Sequence, residues 1–366
     1  MQSFRQKLLS KINSLSPEDE VVFDRMFKVW TVKGELKIPK EMAPWVKKEF
    51  GSLEAVEKQI FIKAVNLITY EGTIFNDLRT KRPIVGDEKI TEVMDLIETT
   101  QDERFANPLT GTPSDTFGRI EGKYCITASN LAKYDGLHSM LIFKDPNPLL
   151  FSRKRIKDYF DVARKWYVLA GRSNKRAVYP MFIWNCLWRA GASIVNGHTH
   201  MVLTEGQAYA KVEELRNLSH KYQELYRSGY FDDLYSIHKS LGLAFERKGV
   251  KVISKITPIK EKEVEIYADD DGEDFSDVVS DVLNTMKENL GVSSFNLSVV
   301  HRPMEKTAEV WDHMPVLVRI VDRGRLSSRT TDFAAMELYA QSVVGSNPYV
   351  VFDELKTALL GSHAKE

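Results

Sequence analysis

Apolar positions along this chain switch repeatedly between helical spacing and strand alternation, a pattern that predicts a mixed chain rather than a helical bundle or an all-β sandwich. Residues 4–15 carry a helical period, and the rest of 1–50 is poorly periodic. With Ser52 as N-cap, Leu53, Val56, Ile60, Ala64 and Leu67 recur at helical spacing and predict a helix running into the loop EGTIFNDLRTKRP. A second helix is predicted over 89–99, followed by the turn-rich NPLTGTPSD. The runs YCITAS and HSMLIF, separated by NLAKYDG, read as strands.

A long amphipathic period over 153–169 predicts a helix, after which AVYPMFIWN and GHTHMVLT read as two strands joined by the small-residue segment RAGASIVN. Helices over 207–226 and 231–247 follow, then the strand VKVISKI, the acidic loop ADDDGED and a helix to Leu290. FNLSVVH and PVLVRIV return to strands before a terminal helix near Asp353. This order predicts an α+β architecture with two similar halves rather than a doubly wound parallel sheet. A chain of 366 residues with 43% hydrophobic content is long enough for two cores. The expected division is a helical extension over 1–51 and halves over 52–228 and 229–366.

Charge narrows the partners. Fifty-one basic residues balance fifty-one acidic ones, so no global field gathers nucleic acid or an anionic membrane, and any phosphate recognition is local. Cys125 and Cys186 stand far apart with no CxxC pair, which argues against a disulfide framework and fits a reducing cytoplasm. The opening MQSFRQKLLSKINSL is mixed-charge and amphipathic, unlike a secretory signal, and no apolar run approaches membrane-spanning length.

The candidate chemistry lies in NGHTHMV. Strand alternation puts His198, His200 and Val202 on one face and Thr199 and Met201 on the other, so two imidazoles share a patch. Imidazole is a nucleophile that is uncharged near neutral pH and leaves well afterwards, which suits transfer of a phosphoryl-linked group. Upstream, the segment from Arg189 to Ser193 offers a tight backbone and a hydroxyl for phosphate oxygens, and Asn185 adds two-way hydrogen bonding. Alone, an HTH tripeptide is as easily a surface strand with two solvated histidines.

The longer pattern Asn185, Gly191, Ser193, His198, His200 resembles the active-site motif of the galactose-1-phosphate uridylyltransferase branch of the histidine-triad superfamily. The resemblance implies two histidine-triad-like halves, each an antiparallel sheet with flanking helices. It makes His198 the nucleophile, places Asn196 on the family's first histidine and sets His200 where transferases carry glutamine and hydrolases carry histidine. EGTIFNDLRTKRP is similar to the family's Arg-x-x-Arg-Pro segment, so Arg79 and Arg82 are expected near nucleotide phosphates, while ITASNLAKYDG makes Asn130 a base or ribose contact. Ordinary readings, a solvated basic loop and an asparagine turn, stand beside these.

Where many family members hold zinc, this chain has Asn107, Thr110, His138 and Asn196. At a second family metal site it offers His301, Glu214, Pro315 and Leu317, with His313 off register. Neither set keeps a full ligand shell, so no metal or other cofactor is expected. What the resemblance implies is a nucleotidyltransferase or phosphorylase acting on a nucleotide sugar or dinucleoside polyphosphate, with phosphate or a sugar phosphate as acceptor, in a homodimer. A nucleotide hydrolase and a nucleotide-binding protein without catalysis remain the alternatives.

Overall fold

In this computed structural model, which describes residues 3–81, 97, 99–328 and 330–361, the N-terminal helices Phe4–Ile12 and Pro17–Met26 lead into a strand, β1 (Phe27–Glu35). The extension is therefore helical at both ends, with a strand between them and Ala43–Phe50. β1 pairs antiparallel with β2 (Lys58–Asn66), and β2 with β3 (Gly72–Phe75). The helix expected from Ser52 is only Leu53–Glu57, capped as anticipated by the Ser52 hydroxyl on Ala55 N–H. Beyond Glu57 the β-branched alternation of KQIFIKAVN prevails, and Ile62 and Ala64 bury one face of β2. The helix expected over 89–99 lies largely outside the described residues.

The first half then supplies β4 (Cys125–Ser129), β5 (Leu137–Phe143), β6 (Ala177–Cys186) and β7 (His198–Glu205). The second half supplies β8 (Ala244–Arg247), β9 (Val250–Ser254), β10 (Glu261–Ala268), β11 (Phe295–Val300) and β12 (Val316–Asp322). Each set is antiparallel, and the sets join edge to edge through β6 and β11 into one nine-stranded sheet ordered β4-β5-β7-β6-β11-β12-β10-β9-β8. β13 (Gln341–Val344) closes the small sheet by running parallel to β3.

Two expectations fail in the second half. The helix placed over 231–247 stops at Ser240, because left-handed Gly242 breaks it and a turn through Lys248 and Gly249, both at positive φ, folds β8 back on β9. β10 has no counterpart in the sequence reading. Its alternation is masked by Glu263 and Glu265, which are buried acids rather than solvent-facing ones.

The two faces of the large sheet differ. Phe182, Trp184, Met201 and Leu297 turn toward the helices Arg153–Ser173 and Glu273–Glu288, where Tyr159 and Phe160 pack against Trp184 and Phe182. Burying such side chains stabilises the fold by about 1.5–3 kcal/mol each. The other face carries a polar row. Across paired strands it reads His200, Ile183, Ser298, Arg319, Glu265, with His200 and Arg319 each one strand from the join.

In the second half the small sheet closes over that row. Glu71, just before β3, accepts from Arg319 at 2.9 Å and Lys255 at 3.1 Å, while Lys255 also reaches Glu265 at 2.8 Å and Arg319 reaches Glu263 at 2.6 Å. Burial works to raise the Glu71 carboxyl, but Lys255 and Arg319 outweigh it and hold it well below the usual carboxylate range. No helix among the described residues is long and apolar enough to cross a membrane.

Candidate active site

The approach to β7 is built by backbone that few residues tolerate. Leu187, buried at φ 68° and ψ 174°, holds a conformation ordinarily reserved for glycine, and its carbonyl accepts the N–H groups of Ala190 and Ala192 at 3.1 Å each. Gly191 follows at φ 94°. Gly197 abuts the Phe143 ring, where any Cβ would overlap it, and its N–H bonds the Pro146 carbonyl at 2.8 Å. Only a glycine lets the chain enter β7 this close to β5.

His198, the first residue of β7, is 6% exposed, and its Nδ1 lies 2.7 Å from the Asn196 carbonyl. A carbonyl can only accept, so Nδ1 carries the proton and Nε2 keeps its lone pair. Burial holds the His198 pKa below the ordinary imidazole value, against the opposing pull of the carbonyl. The ring is thus neutral and of the tautomer a nucleophilic Nε2 requires. Phe105 packs edge-on to it, with centroids 5.3 Å apart at 86°.

His200 shares the face, with its ring 5.3 Å from His198. Its Nδ1 stands 3.1 Å from Nε2 of His138, a fully buried histidine on β5. Burial, then the neighbouring rings, lower His200 to about 3, while burial and the nearby Lys133 ammonium lower His138 to about 4 against Asp135 and Asp115. Both rings are neutral at physiological pH, so a single proton lies between them. Asn130 Nδ2 is 3.3 Å from the same His138 nitrogen, and Tyr134 donates its N–H to His138 Nδ1 at 3.4 Å while laying its ring 3.8 Å away.

The remaining sequence candidates fall in different places. The Asn196 side chain accepts the Asp102 N–H at 2.6 Å and returns a 3.4 Å bond to the Asp102 carbonyl, so its amide holds protein backbone. Ser193 and Gly191 are exposed on the bend. Asn185 lies on the histidine face of β6, two residues from Ile183, which pairs with His200. Arg79 lines a cavity of about 350 Å³ together with Arg189, Arg323 and Arg325, but neither His198 nor His200 lines it. Arg82 lies outside the described residues.

The positions compared with metal ligands have protein partners. Asn107 Nδ2 bonds the Glu103 carbonyl at 3.5 Å, Thr110 Oγ1 the Asn107 carbonyl at 3.4 Å, and His301 pairs with Asp271 at 3.3 Å. Glu214 pairs with Lys211 at 3.0 Å, and His313 stacks on His220. Among the described residues, no group of three or more His, Cys, Asp or Glu is placed to hold a metal ion. Sequence reasoning missed the His138 contact to His200 and the cover provided by Phe105; neither partner is near His198 in sequence, and no local pattern signals them.

No protein family model and no curated protein matches this sequence. Solved structures do. An ADP-glucose phosphorylase from Arabidopsis thaliana superposes with a TM-score of 0.59 at 14% identity, over 79% of this chain and 96% of its own. A uridylyltransferase follows with a TM-score of 0.55 at 13% identity, over 68% and 89%. The chain shares the fold of these two structures. A GalT-like protein from Arabidopsis thaliana superposes equally, with a TM-score of 0.55 at 13% identity over 70% and 91%.

Proposed function

We propose that this protein transfers a nucleotidyl group from a nucleotide sugar or dinucleoside polyphosphate to a phosphate or sugar-phosphate acceptor through a covalent intermediate on His198. The observation that carries this reading is the Nδ1–H bond from His198 to the Asn196 carbonyl at 2.7 Å, which leaves Nε2 as a neutral nucleophile. Nε2 attacks the α-phosphorus in line. The P–N bond forms as the P–O bond to the leaving phosphate breaks, and the positive charge arising on the ring rests against the Asn196 carbonyl. An acceptor oxygen then attacks the same phosphorus, the P–N bond breaks, and His198 returns neutral.

His200 fits the role of a neutral polar neighbour of the nucleophile. Its neutral ring stands 5.3 Å from that of His198 and shares a single proton with His138 across 3.1 Å. A ring whose pKa is held near 3 is a poor base for activating water, whereas an ionised phosphate acceptor needs no base. This favours transfer over hydrolysis. The phosphorylase and uridylyltransferase named among the structural matches support the same class of reaction.

Exposure to α-labelled ADP-glucose, UDP-glucose and diadenosine tetraphosphate tests the reading. The wild type is expected to take an acid-labile label that His198→Ala lacks, and phosphate is expected to discharge it faster than water does. A His198→Ala protein that still labels refutes the assignment. The second reading, nucleotide binding without turnover, is favoured by the Phe105 ring over His198, and tight binding with no adduct decides for it.

A further inference from the structure

Asn185 of β6 and Asn296 of β11 face one another across the strand pair that joins the two halves. Asn296 Nδ2 donates to Asn185 Oδ1 at 2.7 Å and to the Ala190 carbonyl at 2.8 Å. Its Oδ1 accepts from Arg323 Nη1, and Arg323 is itself gripped by Asp332 through two bonds of 2.6 and 2.8 Å. A guanidinium can only donate and a carbonyl can only accept, so two independent neighbours dictate which end of the Asn296 amide is oxygen.

The consequence passes to Asn185. Its Oδ1 is occupied, so its free end is Nδ2, with N–H donors only. Asn185 sits on the histidine face, and Ala190 opens the bend that ends at Ser193. One side chain from the second half thus fixes both an amide beside the histidines and the loop before them.

We propose that Asn296 is a positioning residue that holds Asn185 as an obligate donor and anchors the Ala190 bend, so that the site takes a ligand presenting oxygen acceptors, such as a nucleoside diphosphate, at Asn185. The inference rests on the reading of His198 as the site's nucleophile, but its own readout is ligand affinity. Arg323 and Asp332, through Asn296, make the C-terminal half part of the machinery that orients substrate.

Asn296→Asp is the decisive change. It is nearly isosteric and keeps an oxygen for Arg323, but puts an acceptor where Asn185 needs a donor, which drives the Asn185 amide to invert. Dissociation constants for ADP and UDP are measured by calorimetry beside the rate and half-saturation of nucleotide labelling. Asn296→Asp is expected to weaken binding about tenfold to a hundredfold, the range for losing a hydrogen bond to a charged oxygen. In an Asn185→Ala background the same change is expected to cost clearly less than it does in the wild type, with the remainder reporting the Ala190 anchor, a non-additivity that general destabilisation does not produce.

Unchanged affinity and half-saturation in Asn296→Asp overturn the inference, as does a penalty that persists undiminished in Asn185→Ala. Asn296→Ala supplies a second variant, and thermal melting checks that each is folded. A wild type that binds ADP or UDP but takes no label removes the covalent reading and leaves the positioning role to the binding cycle. A wild type that binds neither overturns both.

Discussion

Replacing Phe105 with alanine should uncover His198. Phe105 is 6% exposed and belongs to a satellite cluster with Ile126, Ala128, Met140 and Ile142, apart from the main core. Burying its ring favours the closed cover by about 1.5–3 kcal/mol, and the edge contact with His198 adds about 0.5–1.5 kcal/mol. The Asn196 bonds to Asp102 survive the substitution, so the net loss is about 2–4 kcal/mol. At about 1.4 kcal/mol per tenfold, the open population rises by roughly 30-fold to several hundredfold.

Diethylpyrocarbonate reads this directly, because it modifies neutral imidazole nitrogen in proportion to access. A short pulse at pH 7, mapped by peptide mass and normalised to the partly exposed His220, should show His198 reacting at least tenfold faster in Phe105→Ala. Because the cluster is a satellite, secondary structure by circular dichroism should stay intact. Equal His198 rates in the two folded proteins would show that Phe105 does not control access, and the burial argument would be wrong.

Two further outcomes concern stability. His138 and His238 are held near 4 and His200 near 3, chiefly by burial, so between pH 7 and 5 the unfolded chain binds protons the folded chain refuses. Stability should therefore fall as pH drops through 6.5, by about 2 kcal/mol per histidine between pH 7 and 5, and denaturation midpoints that stay level over that window contradict it. Arg319→Met leaves Glu71, Glu263 and Glu265 facing Lys255 alone and should cost about 3–5 kcal/mol in denaturant unfolding; a loss under about 1 kcal/mol refutes the buried network.

Legibility in the sequence tracked how local each cause was. β6 and β7 were readable because alternation is written in consecutive residues. β2 was misread because Ile60, Ala64 and Leu67 happen to satisfy a helical period, while the partners that make it a strand lie on β1 and β3. β10 was invisible because Glu263 and Glu265 look solvated until Lys255 and Arg319 are brought beside them. His138 and Asn296 act on His200 and Asn185 across 62 and 111 residues, a distance only the fold closes.

The polar row that crosses the join has a bearing on how many reactive centres one chain can carry. Arg319 occupies, in the second half, the coordinate that His200 occupies in the first. There a cation is clamped among acids, and Glu71 seals it from above. Putting an imidazole at 319 would leave those acids with Lys255 as their remaining counterion, so charge rather than shape sets this position apart from the one that His200 holds. In the proposed reaction the first half carries the chemistry, while the second fastens the small sheet through its buried ion pairs.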